Sequence, residues 1–174
     1  MAAEDPIADQ PPERPTPLGE LRFNRLLVAI DGSESAELAL SAAVTVARRD
    51  RSALTLLVVV PDFVADAARW PSPGAPDPRT MQEEADAAAE RLLRETVDRI
   101  PEDISVTKLV RRGRAAQEIV AQTEAQDYDA VLLGARGLGR VGALLGSVSN
   151  HVLRHAATDV FVAHARPHRG DAAG

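Results

Sequence analysis

The stretch Ala130-Val131-Leu132-Leu133-Gly134-Ala135-Arg136-Gly137-Leu138-Gly139-Arg140-Val141-Gly142-Ala143-Leu144-Leu145-Gly146-Ser147-Val148-Ser149 passes from an unbroken apolar run, through a glycine-rich segment, into a helical pattern. Val148, Val152, Leu153 and Ala156 carry that pattern. A short apolar run bounded by turn residues reads as a strand buried on both faces of a parallel sheet. Glycines after the strand let the backbone approach a ligand, and N–H groups where a loop enters a helix are suited to phosphate oxygens. Nucleotide binding at the carboxyl end of a strand is the expected task.

The same unit recurs upstream. Leu26 to Ile30 is a continuous apolar run closed by Asp31-Gly32-Ser33; Ser33 is an expected N-cap, and Glu34 and Glu37 favour the positive end of a helix. Ala36, Ala39, Leu40, Ala43 and Ala47 then repeat at helical spacing. A second buried strand runs from Leu54 to Val60 and stops at Pro61-Asp62, and the four prolines and one glycine between Phe63 and Pro78 predict a long loop. Thr80 and Glu83 form a capping-box pattern for a helix with Ala85, Ala89, Leu92, Leu93 and Ile100 along one stripe. Ile104 to Val110 alternates, as suits a less buried edge strand; Ala116, Ile119, Val120 and Thr123 mark the next helix, and Val160 to Ala163 a fifth strand. Alternating strands and helices predict an α/β sheet of parallel strands with right-handed crossovers. Ligands of such sheets bind outside the carboxyl ends of the strands, which both Asp31 and the glycine segment follow.

Composition narrows the function classes. The 174 residues, 45% of them hydrophobic, suit one domain, and a formal charge of −6 gives no cationic field for nucleic acid or an anionic membrane. Without cysteine, disulfides, thiolate metal sites and thiol catalysis are excluded. No apolar run approaches the ~18 residues of a membrane span, so a soluble, cytoplasmic protein is expected. Five prolines and scattered charges over residues 1–22 predict a disordered arm, followed by one domain over 23–165 and a flexible tail over 166–174.

Several alternatives fail on residue type. Lys108 is the only lysine and falls inside the third strand, so no phosphate-loop lysine exists. The glycine segment follows the fourth strand, where a dinucleotide fingerprint would follow the first, and no acidic residue ends a following strand to hold a ribose. His151 and His155 share a helix face but have no third ligand in view, so packing or helix-end charge is the expected role. Ser147 has no activating histidine or lysine at a motif spacing, and helix capping is expected of it.

Four motifs in order resemble the universal stress protein family over about Arg25 to Ala165: Leu27-Val28-Ala29-Ile30-Asp31-Gly32-Ser33, Asp129 to Gly134, the GxxG element Gly134 to Gly137, and Gly146-Ser147-Val148-Ser149 followed by Val152-Leu153-Arg154-His155-Ala156. The resemblance implies a five-stranded parallel sheet in the order 3-2-1-4-5, pairing into a homodimer, and in one branch an ATP site with Mg or Mn. Carried over, Asp31 sits near the ribose and any phosphate-bound metal, Val59 meets adenine through its backbone, and Gly113 borders the nucleoside. Gly134, Gly137, Gly139 and Arg140 wrap the phosphates, and Gly146, Ser147 and Val148 donate to them. The sequence departs from the ATP-binding pattern in having eight residues, Leu138 to Leu145, where the family has nine, and in Ala115 and Asp159 where the family often has proline. A stress-signalling or protective ATP-binding module, with at most slow hydrolysis, is the leading expectation. An interaction protein with no nucleotide is the second, and an ATP pyrophosphatase or nucleotidyl transferase of related fold the third. The apolar edge Val160-Phe161-Val162 is the expected dimer surface.

Overall fold

A computed structural model describes residues 21–70, 74–135 and 145–164. In chain order the elements are β1 (Arg25–Ala29), α1 (Glu34–Asp50), β2 (Ala53–Val60), α2 (Phe63–Arg69), α3 (Pro78–Val97), β3 (Val106–Arg112), α4 (Ala115–Ala125), β4 (Ala130–Gly134), α5 (Ser147–His155) and β5 (Asp159–Ala163). The strands form one parallel sheet ordered β3-β2-β1-β4-β5. The direction of winding reverses between β1 and β4, which opens a crevice at their carboxyl ends.

Alternation within the central strands feeds two cores. Leu26 and Val28 of β1 join Ala39, Leu40 and Ala43 of α1 and Ala89 and Leu93 of α3 on one face. Leu27 joins Val131, Leu133, Ile119 of α4 and Val152 of α5 on the other. Residues buried on both sides explain why β1 and β4 read as unbroken apolar runs, whereas β3, at the edge, is half exposed. Ser33 caps α1 by accepting from Ala36 N–H at 3.2 Å. Arg99 clasps Glu37 through two bonds of 2.8 Å, and Arg112 clasps Asp86, fastening α3 to α1 and β3. These guanidiniums hold the Glu37 and Asp86 carboxyls below the ordinary range. No helix among the described residues is long and apolar enough to cross a membrane.

Four expectations are corrected. The segment from Phe63 is α2 rather than loop through Arg69: Asp62 accepts from Ala65 N–H at 2.9 Å, and the prolines that suggested a loop begin only at Pro71. The helix after it starts at Pro78 with Asp77 as N-cap, because proline suits the first helical position and Asp77 accepts from Arg79 N–H, so Thr80 lies within the first turn and Glu83 beyond it. The third strand begins and ends two residues later than expected, at Val106 and Arg112. Leu153, read as part of the α5 apolar stripe, is 45% exposed, since Ser149 and Val152 are the buried positions of that helix.

Candidate functional site

The crevice above β1, β2 and β4 has a volume of about 260 Å³. One end is apolar, walled by Leu57 and Val59 of β2, Ala115 and Ile119 of α4, and Leu133 of β4. The other end is polar, with Asp31, Ser33 and the first turn of α5 from Gly146 to Ser149.

Strand length sets the chemistry of the apolar end. The β1–β2 ladder closes with Ile30 N–H donating to Leu57 C=O at 2.9 Å. Backbone groups alternate sides along a strand, so the N–H and C=O of Val59 point to the same side as those of Leu57, where β1 has already ended. Val60, pointing the other way, accepts from Gly113 N–H at 2.8 Å. One donor and one acceptor of Val59 thus border a slot whose side chains carry no polar atoms.

The polar end is held by the base of the glycine segment. Gly146 N–H donates to Ala135 C=O at 2.7 Å, and the buried Ser149 hydroxyl bonds Gly134 C=O at 2.8 Å and Ala135 C=O at 3.1 Å. These contacts lock the start of α5 onto the end of β4, so that Gly146 to Ser149 line the crevice. Asp31 accepts from Ser33 N–H at 3.0 Å through one carboxylate oxygen, an Asx turn that leads into α1. Among the described residues no group of three or more His, Cys, Asp or Glu side chains is arranged to hold a metal ion. Asp31 is a single carboxylate at the crevice.

Six of the residues assigned from sequence line the crevice: Asp31, Val59, Gly134, Gly146, Ser147 and Val148. Gly113 does not line it; it makes the β3–α4 turn with φ +144°, and a Cβ there would come 2.7 Å from Glu118 Oε1. Gly137, Gly139 and Arg140 lie outside the described residues. Two roles change. A Cβ on Gly134 would overlap the Ser35 hydroxyl and come 2.7 Å from Ala36 N, so this glycine is required by the close approach of α1. Gly146 donates its N–H to Ala135 C=O and is itself the N-cap of α5, which Ser147 is not. Ala115, Ile119, Leu133 and Ser149 also line the crevice; Leu133 and Ser149 stand within the quoted motifs without an assigned role, and Ala115 and Ile119 stand outside them. His151 and His155 stack at 4.3 Å, and His155 Nδ1 bonds the His151 carbonyl at 2.8 Å.

The family model described as universal stress protein family matches residues 22–164. A universal stress protein of Thermus aquaticus is 33% identical over 146 residues, covering 80% of this chain and 98% of that one. One from Synechocystis is 28% identical over 149 residues, covering 80% and 97%. Among solved structures, UspA from Lactobacillus plantarum superposes with a TM-score of 0.73 at 24% identity, covering 83% and 99%. A universal stress protein in complex with cAMP gives 0.62 at 21% identity, covering 84% and 100%. The Archaeoglobus fulgidus protein in complex with dAMP gives 0.59 at 20%, covering 82% and 99%. At these identities the structures establish a shared fold.

Proposed function

We propose, from the premise that this chain belongs to the universal stress protein family, that it is a binding module for adenine nucleotides, ATP with Mg or Mn foremost, acting in stress signalling or protection in the cytoplasm. The observation that carries the reading is the open end of β2 at Val59, facing the first turn of α5 across one crevice. Adenine presents an acceptor at N1 and a donor at N6, the complement of one backbone N–H and one C=O. Guanine would bury an additional amino group among Leu57, Ala115, Ile119 and Leu133, which offer no side-chain acceptor. The phosphates lie toward the N–H groups of Ser147 and Val148, where the helix dipole favours negative charge. The oxygen of Asp31 not engaged by Ser33 serves a ribose hydroxyl or a water of the phosphate-borne metal. The cAMP and dAMP complexes of two structural relatives support an adenine nucleotide as ligand. On this reading the crevice serves binding, with at most slow hydrolysis.

Titration calorimetry with ATP and GTP tests the reading: ATP binds and GTP binds at least about tenfold more weakly, a difference of ~1.4 kcal/mol. The eight-residue spacing between Gly137 and Gly146 favours a second reading, an interaction protein whose crevice holds no nucleotide. Inserting one leucine after Leu145 separates the two. ATP binding by the natural chain, tightened modestly by the insertion, supports the first; binding by the insertion variant alone establishes the second.

A further inference from the structure

The last turn of α5 carries two side chains that the crevice does not use. His151 and His155 stand one helical turn apart on the same face, His151 half-buried and His155 exposed, and neither lines the crevice. Their rings lie side by side, 4.3 Å between centres and 24° from parallel.

The hydrogen bond between the two residues settles which nitrogen of His155 is free. His155 Nδ1 is 2.8 Å from the His151 carbonyl, which can only accept, so in the neutral ring Nδ1 carries the proton and Nε2 keeps its lone pair. A backbone carbonyl on the other ring nitrogen is the arrangement that orients a metal-ligating histidine and raises its basicity. His155 is therefore held in the form that ligates through Nε2. Metal–nitrogen bonds of ~2.0–2.1 Å place two ligating nitrogens about 3.3 Å apart at a tetrahedral angle. That is of the order of the present ring spacing, and the broad ring torsion of histidine supplies the adjustment. Two further conditions favour a cation here. The pair stands at the carboxyl end of the helix, where the dipole is negative, and the chain has no cysteine whose thiolate would compete for the ion.

We propose that His151 and His155 bind one divalent transition-metal ion of the kind that prefers imidazole, Cu(II) foremost and then Ni(II) and Zn(II), with water completing its shell. The preference for copper follows the general ranking of these ions at nitrogen sites. Mg(II) and Ca(II) take oxygen ligands and are not held by the pair, which keeps this site separate from any ion that accompanies the phosphates of a nucleotide. Both rings reach the ion only when they share one helical face, so binding belongs to the folded chain and raises its stability.

Titration of the untagged full chain with Cu(II), followed by calorimetry and by paramagnetic broadening of the histidine ring resonances, tests the site. The rings of His151 and His155 should broaden before those of His164 and His168, and His155→Gln should weaken the ion at least about tenfold. Replacing both His164 and His168 by Gln should leave the affinity as it is, and excess Mg(II) should not displace the copper. Leu153→His combined with His155→Leu keeps four histidines, exchanges two exposed positions, and sets the pair about 200° apart around the helix. This variant should bind as weakly as His155→Gln, and Zn(II) should raise the melting temperature of the natural chain but not of the variant. Equal Cu(II) affinity in the natural chain and the spacing variant would overturn the proposal, as would broadening confined to His164 and His168.

Discussion

The molecule's two concavities are built from different parts of the chain. The crevice at the carboxyl ends of β1, β2 and β4 is edged by backbone groups left over where neighbouring strands stop at different lengths, and by the start of α5. The groove between α1 and β5 is shaped by side chains, chiefly Phe23, Val46 and Phe161. Backbone donors and acceptors at fixed positions can read the edge of a base or hold a phosphate. Apolar side chains without such groups are suited to covering by another apolar segment. Position in a parallel sheet thus separates a recognition site from a packing site before residue identity is considered.

Gly134→Val should break the contrast most severely. Its side chain would drive into Ser35 and the Ala36 backbone, which are rigid at the start of α1. We expect a loss of about 3 kcal/mol in urea unfolding, from overpacking, together with loss of nucleotide binding as α1 is pushed away. Ala115→Phe acts on one side of the comparison only. It fills the apolar end of the crevice from the surface-facing start of α4 and should weaken ATP about 10–100-fold, ~1.4–2.7 kcal/mol, while melting and the groove stay as they are.

A smaller effect is expected of Gly146→Glu. The N-cap has φ −62° and ψ 158°, a conformation any residue adopts, so no strain arises. A carboxylate there gains ~0.3–1 kcal/mol from the helix dipole, yet it repels phosphate; calorimetry should show ATP weakened and adenosine unchanged while melting rises slightly. On the groove side, Arg49 bonds Asp50 at 2.6 and 2.8 Å, and with Phe23 N–H it holds the Asp50 carboxyl down to about 2, from an ordinary 3.8. A carboxylate depressed in the folded state adds stability that is complete above the unfolded value and disappears as pH falls from about 4 through about 2. Asp50→Asn should flatten that part of the stability profile, measured by denaturant unfolding across the acid range, and leave nucleotide affinity at neutral pH unaltered. At the free edge beyond the groove, Phe161→Lys should yield monomer in light scattering if β5 pairs two copies; an undiminished dimer would place the interface elsewhere.

The sheet was legible because burial on both faces leaves a simple mark. Leu26-Leu27-Val28 and Val131-Leu132-Leu133 are apolar without interruption for that reason, whereas the strand order was supplied by the family resemblance and not by the burial pattern. α2 was hidden because it buries no residue, so Val64, Ala67 and Ala68 carry no periodic signal, and the prolines after it dominate the composition of the region. Asp31, Val59 and the start of α5 were found at the crevice through motifs. Gly134 lines the crevice too, and it carries a further demand for glycine that comes from Ser35 and Ala36, a contact across nearly a hundred residues of chain that leaves no local pattern. The engagement of Gly146 N–H by Ala135 was likewise invisible, since a hydrogen bond closing the base of a loop leaves no side-chain pattern. Ala115 and Ile119 line the site by shape alone, and small apolar residues are too common in helices to announce it.

The central claim, that the open strand end at Val59 and the first turn of α5 together receive an adenine nucleotide, is tested most directly by amide chemical-shift mapping of the isotope-labelled chain during titration with Mg-ATP. Saturable shifts at Val59, Ser147 and Val148, with Val46 and Phe161 of the groove unmoved, are the predicted result. Shifts absent from Val59 and α5, or confined to the α1–β5 groove, would contradict it.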